Sequence, residues 1–202
     1  MRRIIAVSQR VDVIADRGER RDSLDQRWEL LLADCGLLAL RIPNNPAQAM
    51  ALLEAVQPQG VLLTGGNDIT AYGGDAPERD ATEAMLIDWA KAGSQPLFAV
   101  CRGLQMLMHH CGANLVRVED HAGTRHRVQL EDGTDDVNSY HHRGFFEPPA
   151  GFRVWARAAD TSVEGVRHDT LPIVGIMWHP ERESPSRSRD RDMIRAFFES
   201  NV

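Results

Sequence analysis

The run Pro96-Leu97-Phe98-Ala99-Val100 passes without a break into Cys101-Arg102-Gly103-Leu104-Gln105-Met106. A strand that is apolar on both faces is buried on both faces, which requires helices above and below a largely parallel sheet. The chain before it keeps the same rhythm. Short β-branched apolar runs at Ile4 to Val7, Leu37 to Ile42 and Gly60 to Leu63 alternate with helical periods at Leu24 to Cys35, Pro46 to Val56 and Ala81 to Lys91. Such alternation is the signature of parallel strands joined by crossover helices. Gly36 and Gly93 stop two of the helices, and Pro46 suits a first helical position.

After Cys111-Gly112 the helical periods give way to short β-type runs at Leu115 to Val118, Arg127 to Leu130, Phe152 to Ala158, Val163 to Arg167 and Ile173 to Trp178. Asp132-Gly133 and Pro148-Pro149-Ala150-Gly151 are turn sequences, so these runs are expected to pair antiparallel. A helix over Asp190 to Ser200 closes the chain, with Met193, Ile194, Phe197 and Phe198 on one face. The expected architecture is a three-layer α/β/α sandwich, α/β in class, with a mostly parallel sheet and added antiparallel strands in its second half. At 202 residues, the whole of 1–202 is expected to form a single domain.

With 43% hydrophobic and 26% charged residues, disorder is excluded for most of the chain. A net charge of −6 disfavours non-specific attraction to nucleic acid or anionic lipid. No apolar run approaches the ~20 residues of a membrane span, and the N-terminal run turns polar at Ser8, too early for a signal peptide. The expectation is a cytoplasmic protein with neither a nucleic-acid nor a membrane partner. Three widely spaced cysteines, Cys35, Cys101 and Cys111, make no disulfide framework, which fits a reducing compartment.

Cys101 has a chemical context that the other two lack. At a strand-to-helix junction a thiol sits over unsatisfied N–H groups and the positive end of the helix dipole, which favour the thiolate. Gly103 lets the new helix approach the sheet, as in a nucleophile elbow. Read alone, Cys101 could equally be a small buried hydrophobe. A cysteine nucleophile needs a base, and the base an orienting acceptor; Met177-Trp178-His179-Pro180-Glu181 offers both. An extended backbone would turn His179 and Glu181 to the same side, with Pro180 stiffening the link. Leu63-Thr64-Gly65-Gly66-Asn67-Asp68 ends a strand in paired glycines, where backbone N–H groups can point into a cleft. It lacks the Gly-Lys-Ser/Thr ending of a phosphate-binding P-loop.

These segments, in this order, resemble the class I glutamine amidotransferase family. The resemblance runs from Gly60 to Glu181 through Thr64-Gly65-Gly66-Asn67-Asp68, Arg79-Asp80 with Glu83, Val100-Cys101-Arg102-Gly103-Leu104-Gln105, Val137-Asn138-Ser139-Tyr140-His141-His142 and Trp178-His179-Pro180-Glu181. Within the family the motifs look most like the γ-glutamyl hydrolase branch. The resemblance implies a flavodoxin-like sheet and a Cys-His-Glu triad: Cys101 the nucleophile, His179 the general base and acid, and Glu181 its orienting group. It further implies an oxyanion hole from the backbone N–H groups of Gly66 and Arg102, and a glutamyl pocket from Gln105, Ser139, Tyr140 and His141. Two departures stand out. Ala99 occupies a position two before the cysteine that is often glycine in the family, and Arg143 stands where many relatives have glutamine.

The segment Ser8 to Trp28 interleaves Arg10, Arg17, Arg20, Arg21 and Arg27 with five acidic residues, and reads most simply as a solvated, salt-bridged loop and helix start. Loops at the carboxyl ends of strands also border the ligand crevice of open α/β sheets, and arginine suits phosphate; Arg10 is therefore a candidate substrate contact. Ser8-Gln9-Arg10 and this segment look like the γ-glutamyl-CDP-amidate hydrolases of capsule biosynthesis. The remaining histidines show no tight ligand spacing along the chain, so no metal and no cofactor is expected. Three functions compete: a free-standing thiol hydrolase of a γ-glutamyl amide, proceeding through a γ-glutamyl thioester; a glutaminase subunit feeding ammonia to a partner synthetase; and a non-catalytic sensor or chaperone with a reactive thiol. Association as a homodimer is compatible with each.

Overall fold

The computed structural model describes residues 2–200. Its centre is a nine-stranded sheet built from β1 (Arg3–Val7), β4 (Leu37–Arg41), β5 (Val61–Leu63), β6 (Leu97–Val100), β8 (Ala122–Leu130), β9 (Gly133–Tyr140), β11 (Phe152–Ala158), β12 (Val163–His168) and β13 (Ile173–Ile176), in the order β4-β1-β5-β6-β13-β12-β11-β8-β9. The first five strands in that order are parallel; β12, β11, β8 and β9 continue the sheet antiparallel. The helices are α1 (Gln26–Asp34), α2 (Pro46–Val56), α3 (Pro77–Ala92), α4 (Arg102–His110) and α5 (Ser188–Ser200).

Strand alternation sorts the core into two layers. Ala6, Val61, Leu63, Leu97 and Ala99 join Leu53, Leu86, Leu104 and Leu107 from α2, α3 and α4. Ile5, Val7, Leu62, Phe98 and Val100 face the other way, onto Trp28, Leu31 and Leu32 of α1 and Ile194 and Phe198 of α5. The expected sandwich and its antiparallel extension are both present.

Several local expectations change. The helix expected from Ala81 starts at Pro77, which takes the first helical position with Glu78 and Asp80 in the first turn, where anions are favoured. The Ser8 to Trp28 segment is more than a loop. It holds an antiparallel hairpin of β2 (Arg10–Ile14) and β3 (Glu19–Ser23), whose near-continuous charge conceals its strand character. Asn67 anchors this hairpin, accepting from the Val11 N–H at 2.8 Å and donating to the Val11 carbonyl at 2.9 Å. The strand expected over Leu115 to Val118 is β7 (Val116–Arg117), which pairs outside the main sheet with β10 (Arg143–Gly144). The Asp132-Gly133 turn joins β8 to β9, a strand that Thr-Asp-Asp-Val-Asn-Ser does not advertise.

At the centre, α4 crosses directly over the end of β5. A Cβ at Gly103 would stand 2.4 Å from the Leu63 carbonyl oxygen, so only glycine permits this approach. Gly103→Ala is expected to destabilise the protein by about 1–3 kcal/mol through forced separation of helix and strand, lowering the melting temperature by about 5 °C. Thermal denaturation checks this, and an unchanged melting temperature would contradict the close approach.

Candidate active site

Cys101 sits between β6 and α4 with φ 51 and ψ −110, a left-handed-side conformation rare for a residue with a side chain. Its N–H donates to the Ile176 carbonyl at 2.8 Å, tying the elbow to the neighbouring strand. Such strain persists only where the surroundings hold it, and it presents the side chain beyond the sheet edge. Cys101 and His179 share a cleft of ≈390 Å³ with Gly66, Arg102, Gln105, Tyr140 and His141.

His179 is buried, and its Nδ1 lies 2.7 Å from Glu181 Oε1. The pair meets by a route other than the extended backbone expected from sequence. β13 ends at Ile176, and Glu181 lies in a 3-10 turn spanning Pro180–Arg182 that folds its carboxylate back to the ring. Asn138 fixes the same segment from β9: its amide donates to the His179 carbonyl at 2.9 Å and its oxygen accepts the His179 N–H at 2.8 Å. On the opposite side, a Cβ at Gly65 would lie 2.5 Å from His179 Cε1, so the first glycine of the pair makes room for the ring. Burial pulls the His179 pKa down, but the charge and hydrogen bond of Cys101, together with Glu181, outweigh it and raise it to about 9. Cys101 and His179 thus line one cleft, and the His179 ring meets the Glu181 carboxylate.

The Gly-Gly loop is held from beneath by Arg79, which is fully buried. Its guanidinium donates to the carbonyls of Thr64 at 2.8 Å and Gly65 at 3.0 Å, and also to that of Gly66. Carbonyls drawn towards Arg79 leave the intervening N–H groups facing away from it. Glu83 pairs with Arg79 at 2.9 Å and with Arg102, which also reaches Asp80.

The remaining candidates divide. Gln105, Tyr140 and His141 line the cleft, whereas Ser139 is fully buried behind its wall. The Gln105 amide donates to the Arg143 carbonyl at 2.8 Å. Tyr140 stands edge-on to His179, with the Arg182 guanidinium 4.3 Å over its ring. Arg143 turns away to the Tyr72 carbonyl at 3.1 Å. Arg10 lines a recess of ≈50 Å³ adjoining the cleft, beside Gly66. Its neighbours Arg20, Arg21 and Arg27 are instead held by Glu78, Glu19 and Asp25. Burial pushes the Cys35 thiol up to about 11 and raises that of Cys111, which suits structural roles for both.

The model of the peptidase C26 family matches residues 3–181. The chain belongs to this family, which is class I glutamine amidotransferase-like. It is 31% identical over 128 residues to γ-glutamyl-CDP-amidate hydrolase of Campylobacter jejuni, an alignment spanning 62% of this chain and 64% of that one. It is 29% identical to γ-glutamyl-γ-aminobutyrate hydrolase of Escherichia coli over 90% of this chain and 87% of the relative. A glutamine-hydrolysing GMP synthase subunit of Thermococcus kodakarensis is 26% identical over 72% of this chain and 77% of its own. A solved glutamine amidotransferase from Thermotoga maritima superposes with a TM-score of 0.70 at 16% identity, covering 99% of this chain and 85% of that one. The fold of this C26 chain is therefore that of the amidotransferases. Among the described residues, no helix is long and apolar enough to cross a membrane.

In this C26 chain the folded-state pKa of His179, about 9, lies above the ~6.5 of a free imidazole, so folding favours the protonated ring. That contribution to stability is complete below pH ~6.5 and is lost as pH rises through about 9. In Cys101→Ala burial and Glu181 act without the sulfur, so the ring should titrate lower. Imidazole NMR titration of both forms checks this; an identical His179 pKa in the two would separate the ring from the sulfur.

Proposed function

We propose that this chain is a cysteine-dependent hydrolase of γ-glutamyl amides. The observation that carries the reading is the position of His179, hydrogen-bonded to Glu181 on one side and interacting with Cys101 on the other, at the floor of a cleft. With His179 protonated, Cys101 attacks the γ-carbonyl as thiolate. The tetrahedral oxyanion is received by the backbone N–H groups of Gly66 and Arg102. His179 gives its proton to the departing nitrogen, the C–N bond breaks, and a γ-glutamyl thioester remains on Cys101. Water then loses a proton to His179 and attacks the thioester, expelling the thiolate and freeing glutamate. Glu181 holds the imidazole orientation through both halves. Gln105, Tyr140 and His141 line the glutamyl side, with Ser139 supporting them from behind.

For the leaving group, we place a phosphorylated or nucleotide amine, of the γ-glutamyl-CDP-amidate type, against Arg10 and Arg182. Both guanidiniums line the recess beside Gly66, and one relative is named for that substrate. The Arg10 pair with Asp12 at 2.7 Å is exposed and exchangeable for a phosphate at little cost. A second reading, a glutaminase serving a synthetase, draws support from the GMP synthase relative. It predicts release of glutamate from plain glutamine that rises when the partner is added.

A panel of γ-glutamyl amides assayed for glutamate tests the assignment. Cys101→Ala is expected to abolish release from all of them, and full activity in that variant would remove the nucleophile. Glu181→Gln should lower kcat by about 100-fold or more with little change in KM, as loss of ring orientation does. Arg10→Ala should raise KM for phosphorylated substrates roughly 10-fold, the effect of one charge-assisted contact, and leave plain γ-glutamyl amines unchanged. An equal effect on both classes would sink the phosphate assignment.

A further inference from the structure

The antiparallel half of the sheet gathers three histidines and a glutamate at one point, which shares only His141 with the cleft lined by Cys101. Glu164 of β12 is fully buried. His121, immediately before β8, and His141, immediately after β9, are also buried, and His126 of β8 is half-buried. His121 Nδ1 stands 3.3 Å from Glu164 Oε1, His141 Nε2 lies 3.4 Å from the same oxygen, and His126 Nε2 lies 3.6 Å from Oε2. These separations exceed the roughly 2.7–3.2 Å of N–H···O hydrogen bonds. None of the five atoms has a hydrogen-bond partner. The two contacts to Oε1 match the ~3.3 Å edge of a tetrahedron whose ligands lie ~2.0–2.1 Å from a central zinc ion.

The outer nitrogens are already committed. His141 Nδ1 lies 3.0 Å from the Arg143 carbonyl oxygen, an acceptor only, so this nitrogen carries the proton and donates. His121 Nε2 lies 3.2 Å from Asp160 Oδ2, and Asp160 is itself held by the backbone and hydroxyl of Ser162. With both rings neutral, each remaining nitrogen aims a lone pair at the Glu164 carboxylate. Outer acceptors of this kind are what orient metal-binding imidazoles. Lone pairs facing a buried anion repel it unless a cation stands between them.

We propose that His121 Nδ1, His141 Nε2 and the Glu164 carboxylate, with His126 Nε2 closing the fourth side, bind one divalent transition-metal cation of the zinc type. The three principal donor atoms lie within 4.8 Å of one another. Two or three imidazoles with one carboxylate suit zinc and its transition-metal neighbours rather than magnesium or calcium, which take all-oxygen shells. Expectation from sequence pointed away from a metal because the donors come from three different strands or strand ends; the sheet alone brings them together. The ion would clasp the β8–β9 hairpin to β12 and fix the Tyr140-His141 segment that walls the cleft. The site stands independently of the hydrolase reading.

The test uses the full chain carrying Cys101→Ala, so that the thiol cannot supply a rival zinc site. After exhaustive chelation it is titrated with zinc chloride alone, with stoichiometry read by elemental analysis and affinity by calorimetry. One zinc per chain is expected, raising the melting temperature by about 5–10 °C at roughly 100-fold excess over Kd. Cobalt(II) should give a visible d–d band of tetrahedral intensity without thiolate charge transfer. Glu164→Gln should lose binding, and His126→Ala, at a half-buried position that should tolerate truncation, should weaken it by about 10-fold or more. No uptake by the folded chelated chain would overturn the proposal, leaving a proton as the cation among these side chains. Undiminished binding in His126→Ala together with Glu164→Gln, or in His126→Ala alone if the other variant does not fold, would overturn it by placing the ion elsewhere. Zinc binding as expected, with no glutamate release from any γ-glutamyl amide by the chain that keeps Cys101, would count against the hydrolase reading only.

Discussion

The fully buried guanidinium of Arg79 is the interaction on which the geometry of the cleft depends. A charge in that position is costly to desolvate and survives only if every donor finds an acceptor. Glu83 supplies the opposite charge, and three successive carbonyls of the Thr64-Gly65-Gly66 loop take the remaining donors. The loop is thereby held in one orientation before any substrate arrives. Arg102 is drawn to the same Glu83 and to Asp80, so the first residue of α4 and the glycine loop are positioned by one carboxylate. Gly66 and Arg102, the residues proposed to supply the oxyanion donors, thus share a common mount. Pre-set donors of this sort cost no reorganisation when charge develops on a substrate oxygen.

The elbow and the histidine are constrained in the same manner, by neighbours rather than by their own preferences. Cys101 holds an unfavourable φ because its N–H is taken by Ile176 and because Gly103 lets α4 drop against Leu63. His179 is fixed through its backbone by Asn138, through its ring by Glu181, and sterically by the bare Cα of Gly65. Each contact comes from a different strand end at the carboxyl edge of the sheet, where open α/β folds place their ligands.

What could be read in the sequence follows from where the physics is local. Parallel strands show as doubly apolar runs, and α2 shows its bounds because Pro46 and the apolar period mark them. The cysteine elbow is legible because strand, nucleophile and glycine are contiguous. The β2–β3 hairpin is not, since Arg10–Ile14 alternates over only five residues, Glu19–Ser23 is charged at four successive positions, and Asn67 ties the hairpin at Val11. β9 hides for a related reason: Val137 is its single buried apolar residue, while Asn138 is buried through hydrogen bonding to His179 and Ser139 through its place in the sheet. The His179–Glu181 contact was legible as a pair but not as a turn, because Pro180 is compatible with either geometry.

The antiparallel extension gives this division of labour a structural logic. The parallel half supplies Cys101, the glycine loop and their buried ionic mount, all determined by strand order and close packing. The other half supplies Asn138, Tyr140 and His141 from the end of one hairpin strand. A hairpin at the edge of a sheet pairs on one side only, here with β11 through three register pairs, Ala156 with Leu130, Arg157 with Gln129 and Ala158 with Val128, and Asn138 adds two bonds to the His179 backbone. Holding its far end to the tolerance that an imidazole-positioning contact demands requires a further tie near Tyr140. The cluster of His121, His126 and His141 around Glu164 sits at that end, where the proposed ion would link both hairpin strands to β12. Because β12 pairs with β13, which leads to His179, a fixed Glu164 links the hairpin to the segment bearing the histidine through one continuous piece of sheet. The wall of the cleft and its base are then set by a single chain of contacts rather than by two independent loops.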